Sequence, residues 1–274
     1  VYICHIPCFT ASDRGFDLNK KLFEFFNYLR KDDKFRILDL RRFEMELNAG
    51  LYFDSNIPLG YGVGSSGALV AAVYDRFKLI EIDDTLKLKS FLASMENYFH
   101  GSSSGIDPLQ CYFGKPFVLS QQTIDNGQQS SFTILDNDFI SDDIHIFLLD
   151  TNIKSPTGPL VEHFKERRRD EKYLDKFNNE YVPLVSECID CLVEKKDDEF
   201  FANLLRLSTL QLELLSHTIP DDYKEYFLKD INEDHFQIKL CGAGGGGFLL
   251  GFSDDIEATD RYWEDRRKKI SWIR

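Results

Sequence analysis

From Phe43 to Phe53 the apolar residues Phe43, Met45, Leu47, Ala49, Leu51 and Phe53 occupy every odd position, with Glu44, Glu46 and Asn48 between them. That alternation predicts a half-buried strand over 43–53. A turn-rich stretch follows, and Ala68, Leu69, Ala71, Ala72, Val73 and Phe77 then predict a helix with an apolar face. Leu86, Leu88, Phe91, Leu92, Met95, Tyr98 and Phe99 recur every three to four residues, which predicts an amphipathic helix over 85–99. A small-residue loop, Gly101 to Gly105, ends it. Asp107 followed by Pro108 reads as an N-cap and first helical position of a short helix that Gly114 closes.

Farther along, 115–120 and 131–135 read as strands around a polar loop holding Asp125, Asn126 and Gly127. The polar run from Asp136 to Asp143 marks the boundary between an N-terminal domain, 1–140, and a C-terminal domain, 141–274. The second domain opens with a buried strand over 144–149 and continues with helical stretches near 159–174, 178–195 and 198–216. Phe201, Leu204, Leu205, Leu207, Leu212 and Leu215 form a core-facing stripe in the last of these. Strands over 236–240 and 247–252 flank a glycine run, and a charged helix follows. Mixed elements without steady βα alternation predict an α+β fold.

The 274 residues carry a net charge of −13, which argues against a general nucleic-acid binder but not against holding one nucleotide through backbone N–H groups and a metal ion. No apolar run reaches the roughly 18–20 residues of a membrane helix. Six cysteines are too few for a disulfide scaffold at this length, so a reducing, cytoplasmic setting is expected. Cys188 and Cys191 have Cys-x-x-Cys spacing but no second pair, and read as buried packing. The basic clusters Arg167 to Arg169 and Arg266 to Lys269 read as solvated helix faces; one of them, or Lys154, could instead meet an anionic substrate.

Ten of the 17 glycines fall in two short segments. In Pro58-Leu-Gly-Tyr-Gly-Val-Gly-Ser-Ser-Gly67 a glycine loop leads into a helix, whose first N–H groups and dipole favour phosphate. The Gly-Lys-Ser/Thr ending of a Walker loop is absent. Ser65 and Ser66 could hold phosphate oxygens or magnesium, although serine is also an ordinary cap. Glu96 and Asp107 stand eleven residues apart across the second loop. One carboxylate and one hydroxyl, Glu96 and Ser66, with nucleotide phosphates would suffice for magnesium, and Asp107 could orient or accept the proton of an attacking alcohol. Taken alone, an aspartate before proline at a helix start is more often a cap.

These strings resemble motifs of the galactokinase, homoserine kinase, mevalonate kinase and phosphomevalonate kinase (GHMP) superfamily. The 58–68 segment looks like its nucleotide loop, and Cys241-Gly-Ala-Gly-Gly-Gly-Gly247 looks like its C-terminal glycine motif. Glu96 with His100-Gly-Ser-Ser-Ser-Gly-Ile-Asp107 resembles the mevalonate kinase form of the motif between them. The resemblance implies an α+β fold with an N-terminal domain like ribosomal protein S5 domain 2, incomplete at its start, and a ferredoxin-like C-terminal domain. It implies ATP and Mg2+ as cofactors and a small-molecule alcohol, mevalonate foremost, as substrate. Gly60, Gly62, Gly64, Ser65, Ser66 and Gly67 would bind ATP, Ser66 and Glu96 the metal, and Asp107 would be catalytic. Gly242, Ala243, Gly244, Gly245 and Gly246 would border phosphates and substrate, with Thr157 a substrate contact. Neither nucleic acid nor membrane is an expected partner, and a homodimer is compatible.

The sequence departs from the family at three places. Gly67 stands where alanine is usual, Ser103 replaces the proline of the aspartate motif, and the opening Lys-x-x-Leu-x-Gly-Glu-His motif is absent. Because the chain starts at Val1 without methionine, an upstream segment carrying that lysine is expected. The alternatives are mevalonate diphosphate decarboxylase, another kinase of the superfamily, or a nucleotide binder without catalysis.

Overall fold

The protein is described by a computed structural model over residues 9–11, 19–55, 57–58, 61, 63–124, 127–136, 138–154 and 157–273. Its contacts divide it into two compact units, Val1–Pro58 with Gly64–Asp136, and Leu59–Val63 with Asn137–Arg274.

In the first unit β1 (Phe9–Ala11) pairs antiparallel with β2 (Leu51–Phe53), and α1 (Asn19–Leu29) and α2 (Leu40–Asn48) lie between them in sequence. In α1 the positions i, i+3, i+4 and i+7, Leu22, Phe25, Phe26 and Leu29, are buried against a core that includes Phe43, Phe77 and Leu92. The expected strand over 43–53 is a helix for most of its length. Asp39 accepts a hydrogen bond from the Arg42 N–H at 2.9 Å and caps it, and Phe43 and Leu47, four apart, bury one face. Met45, which a strand would have buried, is 64% exposed. Only Leu51 to Phe53 is extended, beyond Gly50 in a left-handed conformation at φ +92°.

The helices α3 (Ser65–Phe77), α4 (Thr85–His100) and α5 (Ile106–Phe113) pack together, with Val70, Val73, Leu88, Leu92, Met95 and Leu109 in the core. The α3 and α4 spans follow the sequence pattern. The start of α5 does not: Gly105 is its N-cap, so Asp107 lies inside the first turn and caps nothing. β3 (Phe117–Ile124) and β4 (Gly127–Ile134) form a longer hairpin than expected, and its tip residues Asp125 and Asn126 lie outside the described residues.

The second unit runs β5 (His145–Asp150), helices, β6 (Phe236–Leu240), β7 (Phe248–Ser253), α11 (Ile256–Asp265) and β8 (Lys269–Trp272). The helices before β6 are α6 (Thr157–Arg167), α7 (Glu171–Lys176), a π-helical turn at Phe177–Tyr181, α8 (Val182–Val193), α9 (Asp197–Leu215) and the short α10 (Ile231–Asp234). The sheet is antiparallel in the order β6-β7-β5-β8, a βαββαβ ferredoxin-like arrangement with helical insertions. Phe147, Leu149, Phe236, Ile238, Leu249 and Trp263 bury one face of it. The strand β8 begins at Lys269, the last residue of the basic cluster, and runs over residues where the sequence predicted no strand. The expected 159–174 helix is two helices broken at Asp170, whose carboxylate accepts from the Lys172 and Tyr173 N–H groups.

Candidate functional site

The N-terminus of α3 is preceded by Gly64 in the left-handed region, φ +75°, with no side-chain cap. The helix therefore begins with N–H groups that no capping side chain satisfies, an anion-favouring terminus. On its first turn the Ser66 hydroxyl lies 2.8 Å from Glu96 Oε1 and 2.9 Å from His100 Nε2. Glu96 and His100 are four apart on α4 and so share a face. Glu96 is only 3% exposed, and its second oxygen, Oε2, accepts from the Ser103 hydroxyl at 2.5 Å.

Asp107 joins this group from α5. The position a β-carbon would take at Gly64 is 3.4 Å from Asp107 Cβ and 3.7 Å from its Oδ2, and the Cβ-less turn leaves that side of the carboxylate uncovered. Asp107 is exposed, yet neighbouring protein atoms partly desolvate its carboxyl. That desolvation and then the Glu96 charge push its carboxyl up to about 6, with His100 opposing. The structure thus brings Gly64, Ser65, Ser66, Gly67, Glu96 and Asp107 together in one unit. Gly60 and Gly62 lie outside the described residues.

The donor set has the hard-oxygen chemistry that magnesium takes. Glu96 is a buried carboxylate hydrogen-bonded by two hydroxyls, one of which also lies against His100 Nε2, and among the described residues no ion pair reaches it. A buried anion left in that state calls for a cation. Among the described residues no three His, Cys, Asp or Glu side chains are grouped to hold a metal alone. A magnesium ion held by one carboxylate, one hydroxyl, phosphates and water needs no such group, so these residues fit.

The second glycine segment belongs to the other unit. Gly242, Gly244, Gly245, Gly246 and Gly247 all have positive φ. The Gly245 N–H donates to the Thr218 carbonyl at 2.5 Å and the Gly247 N–H to the Ile153 carbonyl at 2.7 Å, while the Thr151 hydroxyl donates to the Gly247 carbonyl at 2.7 Å. Gly242 and Ala243 border a cavity of about 230 Å³ lined also by Leu160, Phe164, Tyr181 and His217. Thr157 begins α6, and its side chain lies outside the described residues.

Cys188 and Cys191 are buried in α8 as free thiols, and burial pushes the Cys188 thiol up to about 12. Arg167 to Arg169 are exposed, and Arg266 stacks on Tyr262 at 3.6 Å from the ring centroid. His100, which from the sequence could line the site or simply favour the dipole at the end of its helix, and Ser103, to which the sequence assigned no role, both contact the candidate ligands. The signal for His100 was its i+4 spacing from Glu96; for Ser103 it was the departure from proline.

Residues 24–115 match the family model described as the GHMP kinases N terminal domain. Among solved structures, Streptococcus pneumoniae phosphomevalonate kinase is similar at 17% identity and a TM-score of 0.61, covering 97% of this chain and 88% of that one. Lactococcus lactis galactokinase complexed with galactose is similar at 17% identity and a TM-score of 0.58, covering 81% of this chain and 68% of that one. L. major mevalonate kinase in complex with R-mevalonate is similar at 16% identity and a TM-score of 0.56, covering 74% of this chain. The match spans 61% of that mevalonate kinase. At these identities the likeness is one of fold. No curated protein matches the chain in sequence. The fold is that of the GHMP kinases, and residues 24–115 are similar in sequence to their N-terminal domain. No helix among the described residues is long and apolar enough to cross a membrane.

Proposed function

We propose that this protein is an ATP- and magnesium-dependent kinase that transfers the γ-phosphoryl group to a small-molecule alcohol, with mevalonate the favoured acceptor. The observation that carries the reading is the Ser66–Glu96 hydroxyl–carboxylate pair beside an uncapped helix start, with the Asp107 carboxylate facing the same turn. Ser65 and the backbone of Gly60 to Gly67 hold phosphate oxygens, and Ser66 and Glu96 hold magnesium, which when bound offsets charge on the phosphoryl group. Gly242 to Gly246 and Thr157 are assigned to phosphate and substrate contacts.

Asp107 orients the attacking hydroxyl and takes up its proton. A carboxyl near 6 is ionised at neutral pH yet more basic than an ordinary aspartate, which suits that task. Mevalonate is favoured by the His100 to Asp107 string, and one protein of the same fold holds R-mevalonate. The test is ADP release by the full-length protein with ATP, magnesium and mevalonate, phosphomevalonate, homoserine or galactose offered separately. Release stimulated by mevalonate is expected. ATP binding with no ADP formed on any acceptor would replace the kinase by a nucleotide-binding role.

A further inference from the structure

We propose that Ser103 and His100 are positioning residues that preset Glu96 and Ser66 for a divalent cation. Ser103 acts through one carboxylate oxygen and His100 through the serine proton. The inference rests on the magnesium reading above and goes beyond it to the residues behind the ligands.

A carboxylate on a flexible side chain can rotate about its last bond, and a metal site works only if one oxygen is presented in a fixed direction. Ser103 supplies that constraint. Its N–H donates to Asn97 Oδ1 at 2.7 Å, its hydroxyl oxygen accepts from the Gly105 N–H at 2.9 Å, and its single hydroxyl proton goes to Glu96 Oε2 at 2.5 Å. Oε2 is therefore tied to a residue that is itself tied to the loop. The other oxygen, Oε1, is left toward Ser66. A proline at this position would have neither the hydroxyl nor the N–H, so this chain has built the constraint from its own substitution.

Ser66 poses the complementary problem. Its hydroxyl donates its one proton to Glu96 Oε1 at 2.8 Å and lies 2.9 Å from His100 Nε2, which donates or accepts according to its tautomer. A hydroxyl that gives a lone pair to a cation must still place its proton, and an Oε1 committed to the same cation is a poor recipient. His100 Nε2, in the tautomer with its proton on Nδ1, is the remaining acceptor. The imidazole thereby frees both ligand oxygens at once. His100 is otherwise exposed, and no buried packing requires a histidine there.

The experiment is a Mn2+ titration in the presence of ATP, with free Mn2+ followed by electron paramagnetic resonance and the fold by circular dichroism. The full-length wild type is compared with Ser103→Ala, Ser103→Thr, His100→Phe and His100→Gln. Ser103→Ala and His100→Phe are expected to weaken Mn2+ about tenfold, the usual scale for a partner behind a metal ligand. Ser103→Thr and His100→Gln, which keep the donor and the acceptor, should restore most of it. Wild-type affinity in folded Ser103→Ala and His100→Phe would overturn the positioning role and leave the metal reading standing. Should Ser103→Ala fail to fold, His100→Phe at its exposed position decides the outcome. A wild type that takes up no Mn2+ with ATP would overturn the metal reading itself.

Discussion

At Gly67 a β-carbon would stand 2.8 Å from the Asp107 carbonyl carbon and from the Pro108 nitrogen, inside the contact between α3 and α5. At Gly244 it would stand 2.6 Å from the Thr218 carbonyl oxygen, on a residue already at φ +75°. Both glycines are therefore dictated by close approach, but to different ends. In the first unit the missing methyl lets the Asp107 turn sit against the helix that carries Ser66, so a chemical group is brought into place. In the second the backbone itself is shaped, held by Thr218, Ile153 and Thr151, with no ionisable side chain within Gly242 to Gly247. The comparison separates a segment that presents side chains from one in which the backbone alone is shaped, and the two should fail differently when changed.

The largest effect is expected where side chains act. Asp107→Asn and Glu96→Gln should each lower turnover by about 10³-fold with circular dichroism unchanged, the scale of losing a preorganised electrostatic group. Turnover within a few-fold of wild type in both would remove the first segment from the chemistry. Gly244→Ala comes next and is expected to act through the fold. A left-handed backbone forced on alanine, with a carbonyl oxygen in the way of its methyl, costs roughly 2–4 kcal/mol. Urea denaturation should show this as an earlier midpoint at constant slope. An unchanged midpoint would mean that the glycine run yields to a side chain.

Gly67→Ala sharpens the contrast because two effects oppose. Alanine in a helix gains up to about 1 kcal/mol over glycine, whereas overpacking against backbone costs about 1–3 kcal/mol. Backbone atoms of Asp107 and Pro108 cannot swing aside as a flexible side chain would, so the clash wins and a net loss of about 1–2 kcal/mol is expected. The displaced Asp107 should also lower turnover more than that loss alone explains. Alanine is usual at this place in the motif that the sequence resembles, so a neutral result would show that α5 of this chain can retreat.

How much of this was legible beforehand varies with the kind of signal. The α4 helix was plain because its apolar residues repeat at helical spacing, and Glu96 and Asp107 stood out as candidates because carboxylates around a glycine-serine loop are conspicuous. The segment at 43–53 misled because alternation and an i, i+4 pair coexist in it. The Asp39 cap and burial of Phe43 and Leu47 outweighed the odd-position pattern. Strand β8 was hidden because its burial alternates over only four residues next to basic ones. The Ser103 and His100 contacts depend on how a loop returns onto α4, and no residue spacing encodes a 2.5 Å hydrogen bond. The role of Gly67 was visible only as an oddity until α5 was seen against it.

The smallest effect tests the electrostatics behind the comparison. In the folded protein the Asp107 carboxyl lies at about 6, against an ordinary value of 3.8. Between those values the folded chain keeps a proton that the unfolded chain has released, so stability falls as pH rises through the interval, and the cost is complete above 6. Asparagine at 107 carries no such cost. Asp107→Asn without nucleotide or metal should therefore melt higher than wild type at pH 8, and the gap should close by pH 4. Because the side chain reaches solvent, screening keeps the gap small, on the order of 1–3 °C for a chain of this size. Glu96→Gln should narrow it, since the Glu96 charge contributes to raising Asp107. A gap of the same size at pH 4 and pH 8 would mean that Asp107 is not desolvated beside Glu96, and the side-chain segment would lose the strained carboxylate that sets it apart from the backbone segment.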